Sequence, residues 1–337
     1  MNAIVCKQPG ELKYIKKDIP ILQKGHSLLK IKRVGICGTD FHAYEGTQPY
    51  FEYPRILGHE IAAEIVETNS NNGLHNGDKV TLVPYFNCGK CIACRNEKPN
   101  CCSSLQVFGV HIDGAMCEFI SVPDFSIVPG NGLNFDELAL IEPLAIGAHG
   151  IRRSEIVKGQ FILIIGAGPI GLGAMEFAKI AGGQVIGMDI NKSRLQFCKE
   201  QLNIPFTINA LSADVLEQVK TITSGEMPSI VIDCTGNLNA INNAFQFVSH
   251  GGKFVLIGLQ KGNLNINHPE FHKREATLMS SRNATMQDFE HVIANIKNKK
   301  IDPFKFITHR VQFSEFVSQF LVLKNAQSDV IKALIEL

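Results

Sequence analysis

Residues 161–189 contain the pattern that most restricts the fold of this chain. A continuous apolar run, Phe161–Ile165, precedes a turn with glycines at positions 166, 168 and 171, and a helical pattern follows over 172–181. A second apolar run, 184–188, ends at Asp189. Strands that are apolar on both faces and alternate with helices indicate a parallel sheet buried between helix layers. The stretch therefore predicts an α/β domain.

The glycine turn in this unit predicts a dinucleotide site. Its glycines permit a tight turn, and backbone N–H groups at the helix N-terminus can approach a pyrophosphate. Asp189 ends the next strand about 20 residues later, as the dinucleotide pattern requires. Its carboxylate would accept the ribose hydroxyls of NAD, although Lys192 and Arg194 nearby leave NADP use open. A glycine turn that binds no dinucleotide is the alternative. The candidate cofactor residues are Gly166, Gly168, Pro169, Ile170, Gly171, Asp189 and Arg194.

The rest of the chain differs from this middle part. The first 145 or so residues are rich in short alternating segments, such as 27–34, 61–66 and 79–83, between Gly, Pro and Asn clusters, which predicts β-structure. Further strands of the middle part are expected at 230–232 and 254–257, and helix and strand pieces follow near 289–296 and 330–337. A length of 337 residues favours two domains.

Charge and hydropathy exclude some classes of function. Lys and Arg number 33 against 32 Asp and Glu, so the net charge is +1. This balance argues against nucleic acid or an acidic membrane as the main partner. The N-terminus shows no secretory pattern, and the most apolar run is too short and too glycine-rich for a membrane helix. We expect a cytoplasmic protein with a small-molecule substrate.

The cysteines indicate a closed metal site. Five of the ten cysteines fall between positions 88 and 102. Clustered thiols in a large chain from a reducing compartment point to metal binding. Cys88, Cys91 and Cys94, followed by Cys102, can close around one tetrahedral Zn²⁺, which would be structural. Cys101 is an alternative fourth ligand, and an iron–sulfur cluster is an alternative to zinc.

A second, dispersed set indicates an open metal site. Cys37 lies in Gly-Ile-Cys-Gly-Thr-Asp, His59 and Glu60 lie in Gly-His-Glu, and Glu142 lies in Ile-Glu-Pro. One thiolate, one imidazole and one carboxylate can hold Zn²⁺ and leave a position for substrate. Each residue alone is weak evidence for a metal site. Together, and with a dinucleotide pattern in the same chain, they support one.

In their order along the chain, these motifs resemble the zinc-dependent medium-chain dehydrogenases, which include alcohol, sorbitol and threonine dehydrogenases. The resemblance implies a GroES-like β-barrel catalytic domain over 1–145, completed by 285–337, and a Rossmann NAD-binding domain with a doubly wound parallel sheet over 146–284. It also implies two zinc ions per chain, one catalytic and one structural, with NAD as cofactor, and a homo-oligomer, dimer or tetramer.

The resemblance also implies roles for individual residues. Cys37 and His59 match the family's zinc ligands, and Glu142 matches a third ligand that is cysteine in the liver-type enzymes. Glu60 matches the glutamate that lies behind the metal or replaces a ligand, so the resting carboxylate ligand stays open between Glu60 and Glu142. The spacing in the family favours Cys102 over Cys101. Thr39 and His42 would pass the substrate proton to water.

Several segments are similar to the bacterial sugar-acid members that act on L-galactonate or L-gulonate. These segments are 37–59, 109–114, 269–273 and 281–284. The expected reaction transfers a hydride from a secondary hydroxyl of a hexonate to NAD⁺ and leaves a keto acid. A polyol or L-threonine dehydrogenase is the alternative, but the threonine enzymes carry a tryptophan before Gly-His-Glu, and this chain has none.

Two non-enzymatic interpretations compete with this one. A redox sensor on the same scaffold would have lost some of the open-site or relay residues, and a zinc-ribbon nucleic-acid module does not explain the charge or the glycine turn. For the enzyme, a guanidinium could hold the substrate carboxylate in bidentate fashion. We expect Arg282 in this role, with His111 or Arg55 as alternatives and Asn283 as a weaker candidate.

Overall fold

The computed structural model describes residues 1–70, 73–325 and 330–337. In these residues the strands are β1 Asn2–Gln8, β2 Glu11–Lys16, β3 His26–Gly35, β4 Arg55–Ile56, β5 Glu60–Thr68, β6 Lys79–Leu82, β7 Tyr85–Phe86, β8 Gln106–Val107, β9 Phe119–Pro123, β10 Ile127–Pro129, β11 Phe161–Ile165, β12 Gln184–Asp189, β13 Phe206–Asn209, β14 Ile230–Asp233, β15 Lys253–Leu256, β16 Thr277–Ser280, β17 Ile307–Gln312 and β18 Lys332–Glu336. The helices are α1 Gly38–Glu45, α2 Ile92–Arg95, α3 Phe135–Ala139, α4 Ile141–Ser154, α5 Pro169–Ile180, α6 Lys192–Glu200, α7 Val215–Ile222, α8 Leu238–Ala244, α9 His268–Lys273, α10 Met286–Lys297 and α11 Phe316–Asn325.

The chain divides into two compact units. One unit combines Met1–Glu142 with Ala284–Leu337, and the other is Pro143–Asn283. The division falls inside the first turn of α4, a few residues before the position that the sequence favours. Each unit contains its own buried apolar cluster.

The first unit is built on a largely antiparallel sheet. Its strand order is β10-β6-β5-β3-β18-β17, and β9 also pairs with β3. The ten-residue strand β3 is the centre, because it pairs with β5, β9 and β18 along its length. The sheet therefore combines strands from both ends of the chain, and this arrangement places the last strand beside the candidate metal ligands.

Ion pairs connect the C-terminal segment to the earlier part of this unit. The Arg310 guanidinium on β17 contacts Asp136 on α3 at 2.7 Å and Glu336 on β18 at 2.8 Å. Asp136 also accepts a bond from Arg33 on β3 at 2.8 Å. A charge network of this kind stabilises more than isolated surface pairs do. It links four elements that are remote in sequence.

The second unit has the Rossmann topology. Its six strands are parallel and follow the order β13-β12-β11-β14-β15-β16, which is 3-2-1-4-5-6 when counted from β11. The residues of β11 and β12 are mostly buried because helices cover a doubly wound sheet on both faces. The predicted α/β class and doubly wound sheet are confirmed.

Some helices and strands begin or end a few residues away from the positions that the sequence predicts. Helix α5 begins at Pro169, earlier than position 172, because proline suits the first turn of a helix, where its missing N–H costs nothing. Strand β15 spans Lys253–Leu256, one residue before the predicted 254–257. Among the described residues no helix combines the length and apolar character needed to cross a bilayer.

Candidate functional site

Three neighbouring strands bring the candidate ligands of the first unit together. Strand β5 begins at Glu60, β3 ends at Gly35, and these two residues are directly opposite in the ladder. A Cβ at Gly35 would lie 2.0 Å from Glu60 Oε2, so glycine leaves the space that the carboxylate fills. Cys37 follows β3 by two residues. On the other side of β3, the Ile36 N–H donates to the Ala333 carbonyl of β18 at 3.0 Å.

Cys37, His59 and Glu60 form a donor set that fits a metal ion. One sulfur, one ring nitrogen and one carboxylate oxygen lie within 4.8 Å of one another. His59 and Glu60 are buried, and Cys37 is half-buried. Nδ1 of the buried His59 ring has no hydrogen-bond partner among the described residues. Thiolate, imidazole and carboxylate are the ligand types that zinc takes, and three ligands leave one position open.

Asp40 fixes the two loops that present these ligands. Its carboxylate is buried in the first turn of α1 and accepts bonds from the backbone N–H of Cys37 at 2.9 Å and of Gly58 at 3.3 Å. Gly58 adopts a φ of +93°, and a Cβ there would lie 2.8 Å from a methyl carbon of Val34. The close approach and the positive φ both require glycine before His59. Asp40 therefore orients the two loops that carry Cys37 and His59.

Glu60 is paired with a lysine from the last strand. The Lys332 ammonium lies 2.5 and 2.7 Å from the two oxygens of Glu60 and donates to the Ile36 carbonyl at 3.0 Å. Both side chains are almost fully buried. Burial alone would lower the pKa of Lys332, but the neighbouring Glu60 and Cys37 outweigh it and raise the pKa. The two side chains form an ion pair, and this pair fixes the position of the Glu60 carboxylate.

Glu142 has a different partner. It lies in the first turn of α4, is buried, and accepts a hydrogen bond from the hydroxyl of Tyr85 on β7. It is not a member of the donor set of Cys37, His59 and Glu60. Burial raises the pKa of Glu142 to about 7, and the nearby Glu60 also raises it, whereas His59 and Tyr85 lower it. Glu142 is therefore an adjacent buried carboxyl group with its own donor.

The electrostatic field of the site favours a cation. Burial lowers the pKa of His59, but the Cys37 thiolate, Asp40 and Glu142 overcome this effect and raise the pKa well above its usual value. These negative groups thus stabilise a positive charge at the imidazole. A divalent ion at the same place would experience the same attraction.

Helix α1 carries the two predicted proton-relay residues. Thr39 is half-buried two residues after Cys37, and His42 is exposed one turn later. Positions three apart lie on the same face of a helix. Nδ1 of His42 lies 3.0 Å from the hydroxyl oxygen of Thr47 and 3.6 Å from a carboxylate oxygen of Glu45. Helix α1 thus carries a half-buried hydroxyl close in sequence to Cys37 and an imidazole at the solvent.

The second candidate metal centre is formed by four cysteines around α2. The sulfur atoms of Cys88, Cys91, Cys94 and Cys102 lie within 4.8 Å of one another, and Cys91 and Cys94 are 3.5 Å apart. A tetrahedron of Zn–S bonds of about 2.3 Å has sulfurs about 3.8 Å apart. Cys102 belongs to this set, whereas Cys101 is exposed and does not.

Backbone N–H groups donate to several sulfur atoms in this lobe. The N–H groups of Cys88 and Ser104 donate to the sulfur of Cys102 at 3.3 and 3.4 Å. The backbone N–H of Cys94, followed by that of Ser103, lowers the pKa of Cys91 to about 5. Thiolate, rather than thiol, is the form that binds metal. A closed set of four sulfurs suits a structural zinc ion.

In the second unit the glycine turn has the geometry of a nucleotide cradle. Gly166 has a φ of +100°, and a Cβ at Gly171 would lie 1.8 Å from the Gly166 carbonyl oxygen, so both positions require glycine. A Cβ at Gly168 would extend into open space, where its nearest atom is a guanidinium nitrogen of Arg194 at 3.9 Å. Gly168 is the N-cap of α5, and Pro169 and Ile170 form the first turn. The open side of the turn can receive a pyrophosphate.

Asp189 connects the two loops of this cradle. Its carboxylate is buried and accepts bonds from the backbone N–H of Ala167 at 2.5 Å and of Asn191 at 2.8 Å. Each carboxylate oxygen has a second lone pair that can accept a hydroxyl. Asn191 caps α6, which carries Arg194. The predicted cofactor residues thus lie together at the carboxyl ends of β11 and β12.

The candidate residues for substrate recognition lie at several places. Val107 N–H donates to Nδ1 of His111 at 3.0 Å, which leaves the proton of a neutral ring on Nε2, and the ring stacks on Tyr50. Arg55 on β4 lies 3.8 Å from Asp113. In the second unit, Arg282 is exposed two residues after β16, and Asn283 adopts a φ of +54°.

Sequence reasoning missed Tyr85 and Lys332. Lysine 332 stands in the apolar run Val-Ile-Lys-Ala-Leu-Ile, where a charged side chain must find a buried partner. That position was a usable signal, although it does not reveal which carboxylate is the partner. Tyr85 follows an apolar strand, and a tyrosine in this context is ordinary.

Comparisons with known proteins agree with this geometry. Residues 23–131 match the model of the alcohol dehydrogenase GroES-like domain, and residues 169–298 match the model of the zinc-binding dehydrogenase domain. The L-galactonate-5-dehydrogenase of Escherichia coli is 44% identical over 95% of this chain and 94% of its own length. A sorbitol dehydrogenase from Halalkalibacterium halodurans is 31% identical over 97% of each chain.

A solved structure shows the same fold over the full length. The alcohol dehydrogenase RspB from Escherichia coli, crystallised with NADH, superposes with a TM-score of 0.92 at 28% identity and covers 100% of this chain and 99% of its own. The GroES-like and Rossmann folds expected from the sequence are confirmed. By these matches, the chain belongs to the zinc-type medium-chain alcohol dehydrogenases, a family of oxidoreductases.

Proposed function

We propose that this protein oxidises a secondary hydroxyl of a sugar acid to a ketone, with NAD⁺ as hydride acceptor and zinc as the catalytic metal. L-galactonate and L-gulonate are the first substrates to test. The observation that carries the proposal is the open donor set of Cys37, His59 and Glu60. Identity of 44% with an L-galactonate-5-dehydrogenase supports the substrate class.

Two zinc ions per chain fit the two donor sets. Cys37, His59 and Glu60 would hold the catalytic ion, and the four-cysteine lobe would hold a structural ion. Zinc in the open set supplies Lewis acidity, an effect that lowers the pKa of water from 15.7 to about 7. The structural ion would join the segments on either side of α2 and do no chemistry.

The residues around the open set would position groups and move a proton. Asp40 holds the backbone of Cys37 and Gly58, and the ammonium of Lys332 holds the Glu60 carboxylate. Oxidation of an alcohol releases a proton together with the hydride. The Thr39 hydroxyl would receive that proton, and the exposed His42 would deliver it to water.

The second unit would bind the cofactor. The N-terminus of α5 and the open side of Gly168 would receive the pyrophosphate, and Asp189 would accept ribose hydroxyls. A carboxylate at this place disfavours the added phosphate of NADP, whereas Arg194 near the turn would tolerate it. The nicotinamide of bound NAD⁺ accepts the hydride.

A sugar acid also needs a partner for its carboxylate. We assign this role to Arg282, because a guanidinium binds a carboxylate through two parallel bonds. His111, Arg55 and Asn283 are the alternative positions. Substitution of Arg282 by alanine should raise KM for hexonates and leave KM for polyols unchanged. An unchanged KM for hexonates would move the assignment to His111 or Arg55.

The test of the proposed function is a substrate panel. The zinc-loaded protein is mixed with NAD⁺ and with L- and D-hexonates, polyols, L-threonine or simple alcohols, and the initial rate of NADH formation is measured. The proposal predicts turnover confined to one or two hexonates. Turnover of polyols or threonine alone would refute the sugar-acid assignment. Cys37→Ser, which removes a ligand of the open set, should abolish the rate.

A polyol dehydrogenase is the second candidate. The observation that favours it is the 31% identity with a sorbitol dehydrogenase over 97% of the chain. The same donor set and proton route would serve a polyol, so only the carboxylate requirement separates the two candidates. L-threonine oxidation is a further alternative that the same panel addresses.

We also propose a homo-oligomer in a reducing cytoplasm. Strand β16 forms one edge of the six-stranded sheet, so a second copy can extend the sheet through it. All ten cysteines are unpaired, as a reducing compartment requires. Light scattering of the purified protein would report a dimer or tetramer, and a monomer would contradict this part of the proposal.

A further inference from the structure

Two buried carboxyl groups lie near the open donor set, and each has its own donor. Glu60 is bound by the Lys332 ammonium, and Glu142 is bound by the hydroxyl of Tyr85. Only one carboxylate is needed beside the Cys37 thiolate and the His59 ring to complete a three-ligand site. The difference between the two donors therefore decides which carboxylate serves as the ligand.

The two donors act differently on their carboxylates. Lys332 directs its three N–H groups to the two oxygens of Glu60 and to the Ile36 carbonyl, so it fixes the carboxylate but also keeps it within the donor set. Tyr85 donates one neutral O–H to Oε1 of Glu142. Glu142 lies outside the set although it is close enough to His59 and Glu60 to influence their charges.

Tyr85 is anchored for this task. It is buried, and its strand β7 pairs with β8, where Tyr85 is directly opposite Val107. The pairing fixes the backbone of Tyr85, and burial restricts the movement of its ring.

We propose that Tyr85 is a positioning residue that holds the Glu142 carboxylate away from the catalytic metal and thereby makes Glu60 the resting ligand. The inference depends on the proposed zinc site. A buried carboxylate that loses its donor either takes up a proton or pairs with a positive charge, and a nearby divalent ion favours the pairing. If the Tyr85 hydroxyl is removed, the metal offers such a charge, so Glu142 would add to the ligands already present and would obstruct substrate binding.

The inference predicts different effects on turnover and on metal affinity. Tyr85→Phe should lower turnover about tenfold or more, as for other residues that orient ligands, while the metal is held at least as tightly as in the wild type. Damage to the structure alone would weaken metal affinity together with turnover, by about 10–100-fold. The ratio of the two effects therefore separates positioning from a general structural role.

Cobalt(II) is the probe for the coordination change. In the full-length protein Co²⁺ replaces zinc, and the visible spectrum of Cys37→Ser is subtracted to remove the contribution of the four-cysteine lobe. The d–d bands weaken when coordination expands from four to five ligands. We expect weaker bands in Tyr85→Phe and wild-type intensity in Tyr85→Phe combined with Glu142→Gln. Tyr14→Phe is the matched control, since its hydroxyl donates to the Phe313 carbonyl at the surface of the same unit.

Each outcome decides the inference. Bands of wild-type intensity in Tyr85→Phe would overturn it. If that variant does not fold, Glu142→Gln alone remains informative, because the inference predicts the wild-type spectrum for it, and a changed spectrum would make Glu142 a resting ligand. A wild type whose spectrum equals that of Cys37→Ser would instead refute the proposed catalytic metal site itself.

Discussion

The ammonium group of Lys332 lies between the two carboxylate oxygens of Glu60, at 2.5 and 2.7 Å, although 272 residues separate the two in sequence. Both side chains are buried, and the third N–H of the lysine binds the carbonyl of Ile36, the residue before Cys37. Strand β18 thus holds two segments that carry candidate metal ligands. The C-terminal segment is part of the site as well as part of the fold.

Removal of Lys332 should destabilise the protein strongly. Lys332→Met leaves the Glu60 charge buried without a partner, and such a change costs about 3–5 kcal/mol of unfolding free energy. Urea denaturation measures the loss. Combining it with Glu60→Gln should restore much of the stability. Lys324→Met breaks a more exposed pair with Glu45 and should cost less than about 1 kcal/mol; equal losses for Lys324 and Lys332 would contradict the assignment.

Two adjacent cysteines should behave differently. Cys102→Ser removes one of the four clustered sulfurs and should release the structural zinc and lower the melting temperature. Cys101→Ser changes an exposed thiol outside the cluster and should do neither. Zinc per chain by mass spectrometry, together with a thermal scan, checks both variants. Zinc retained in Cys102→Ser and lost in Cys101→Ser would reverse the assignment.

Alanine substitutions at two glycines of the nucleotide turn should affect folding and NADH binding differently. Gly168→Ala adds a Cβ in open space, so the melting temperature should stay the same while NADH binding weakens, because the methyl group fills space for the pyrophosphate. Gly171→Ala places a Cβ 1.8 Å from the Gly166 carbonyl oxygen and should disrupt the turn itself. Fluorescence titration with NADH and a thermal scan test both. Unchanged NADH affinity in Gly168→Ala would argue against a cofactor in this cradle.

Disruption of the proposed proton route should lower kcat and leave KM nearly unchanged. Thr39→Val should lower kcat about 100-fold or more, since a positioned proton acceptor contributes about 10²–10⁴-fold, and KM should change little. Thr39→Ser retains the hydroxyl and should recover most of the rate. His42→Asn should have a smaller effect that added imidazole buffer reduces, because His42 is already at the solvent. Equal rates for the valine and serine variants would exclude a role for the hydroxyl.

The sequence was most informative where the structure depends on neighbours in the chain. Strand β11, Phe161–Ile165, matches its prediction because a strand buried on both faces is an uninterrupted apolar run. The four-cysteine lobe was equally accessible, since its ligands lie within fifteen residues and their spacing reflects one loop. Gly166 and Gly171 were identifiable because only glycine fits their backbone geometry.

The parts that escaped prediction depend on long-range pairing. Lys332 reaches Glu60 only because β18 adds to β3, and no local pattern determines that pairing. Tyr85 meets Glu142 through a two-residue strand and the first turn of α4. The choice between Glu60 and Glu142 was open for the same reason, since both carboxylates are near His59 and have different hydrogen-bond partners.

The most direct test of the proposed function compares L-gulonate with sorbitol, which has the same carbon skeleton and hydroxyl configuration but an alcohol in place of the carboxylate. The zinc-loaded protein is assayed with NAD⁺, and kcat/KM is measured for each compound. The account predicts that L-gulonate, or L-galactonate compared with galactitol in the same way, is strongly preferred. An equal or higher kcat/KM for both polyols would contradict a sugar-acid dehydrogenase and leave a polyol dehydrogenase with the same metal centre.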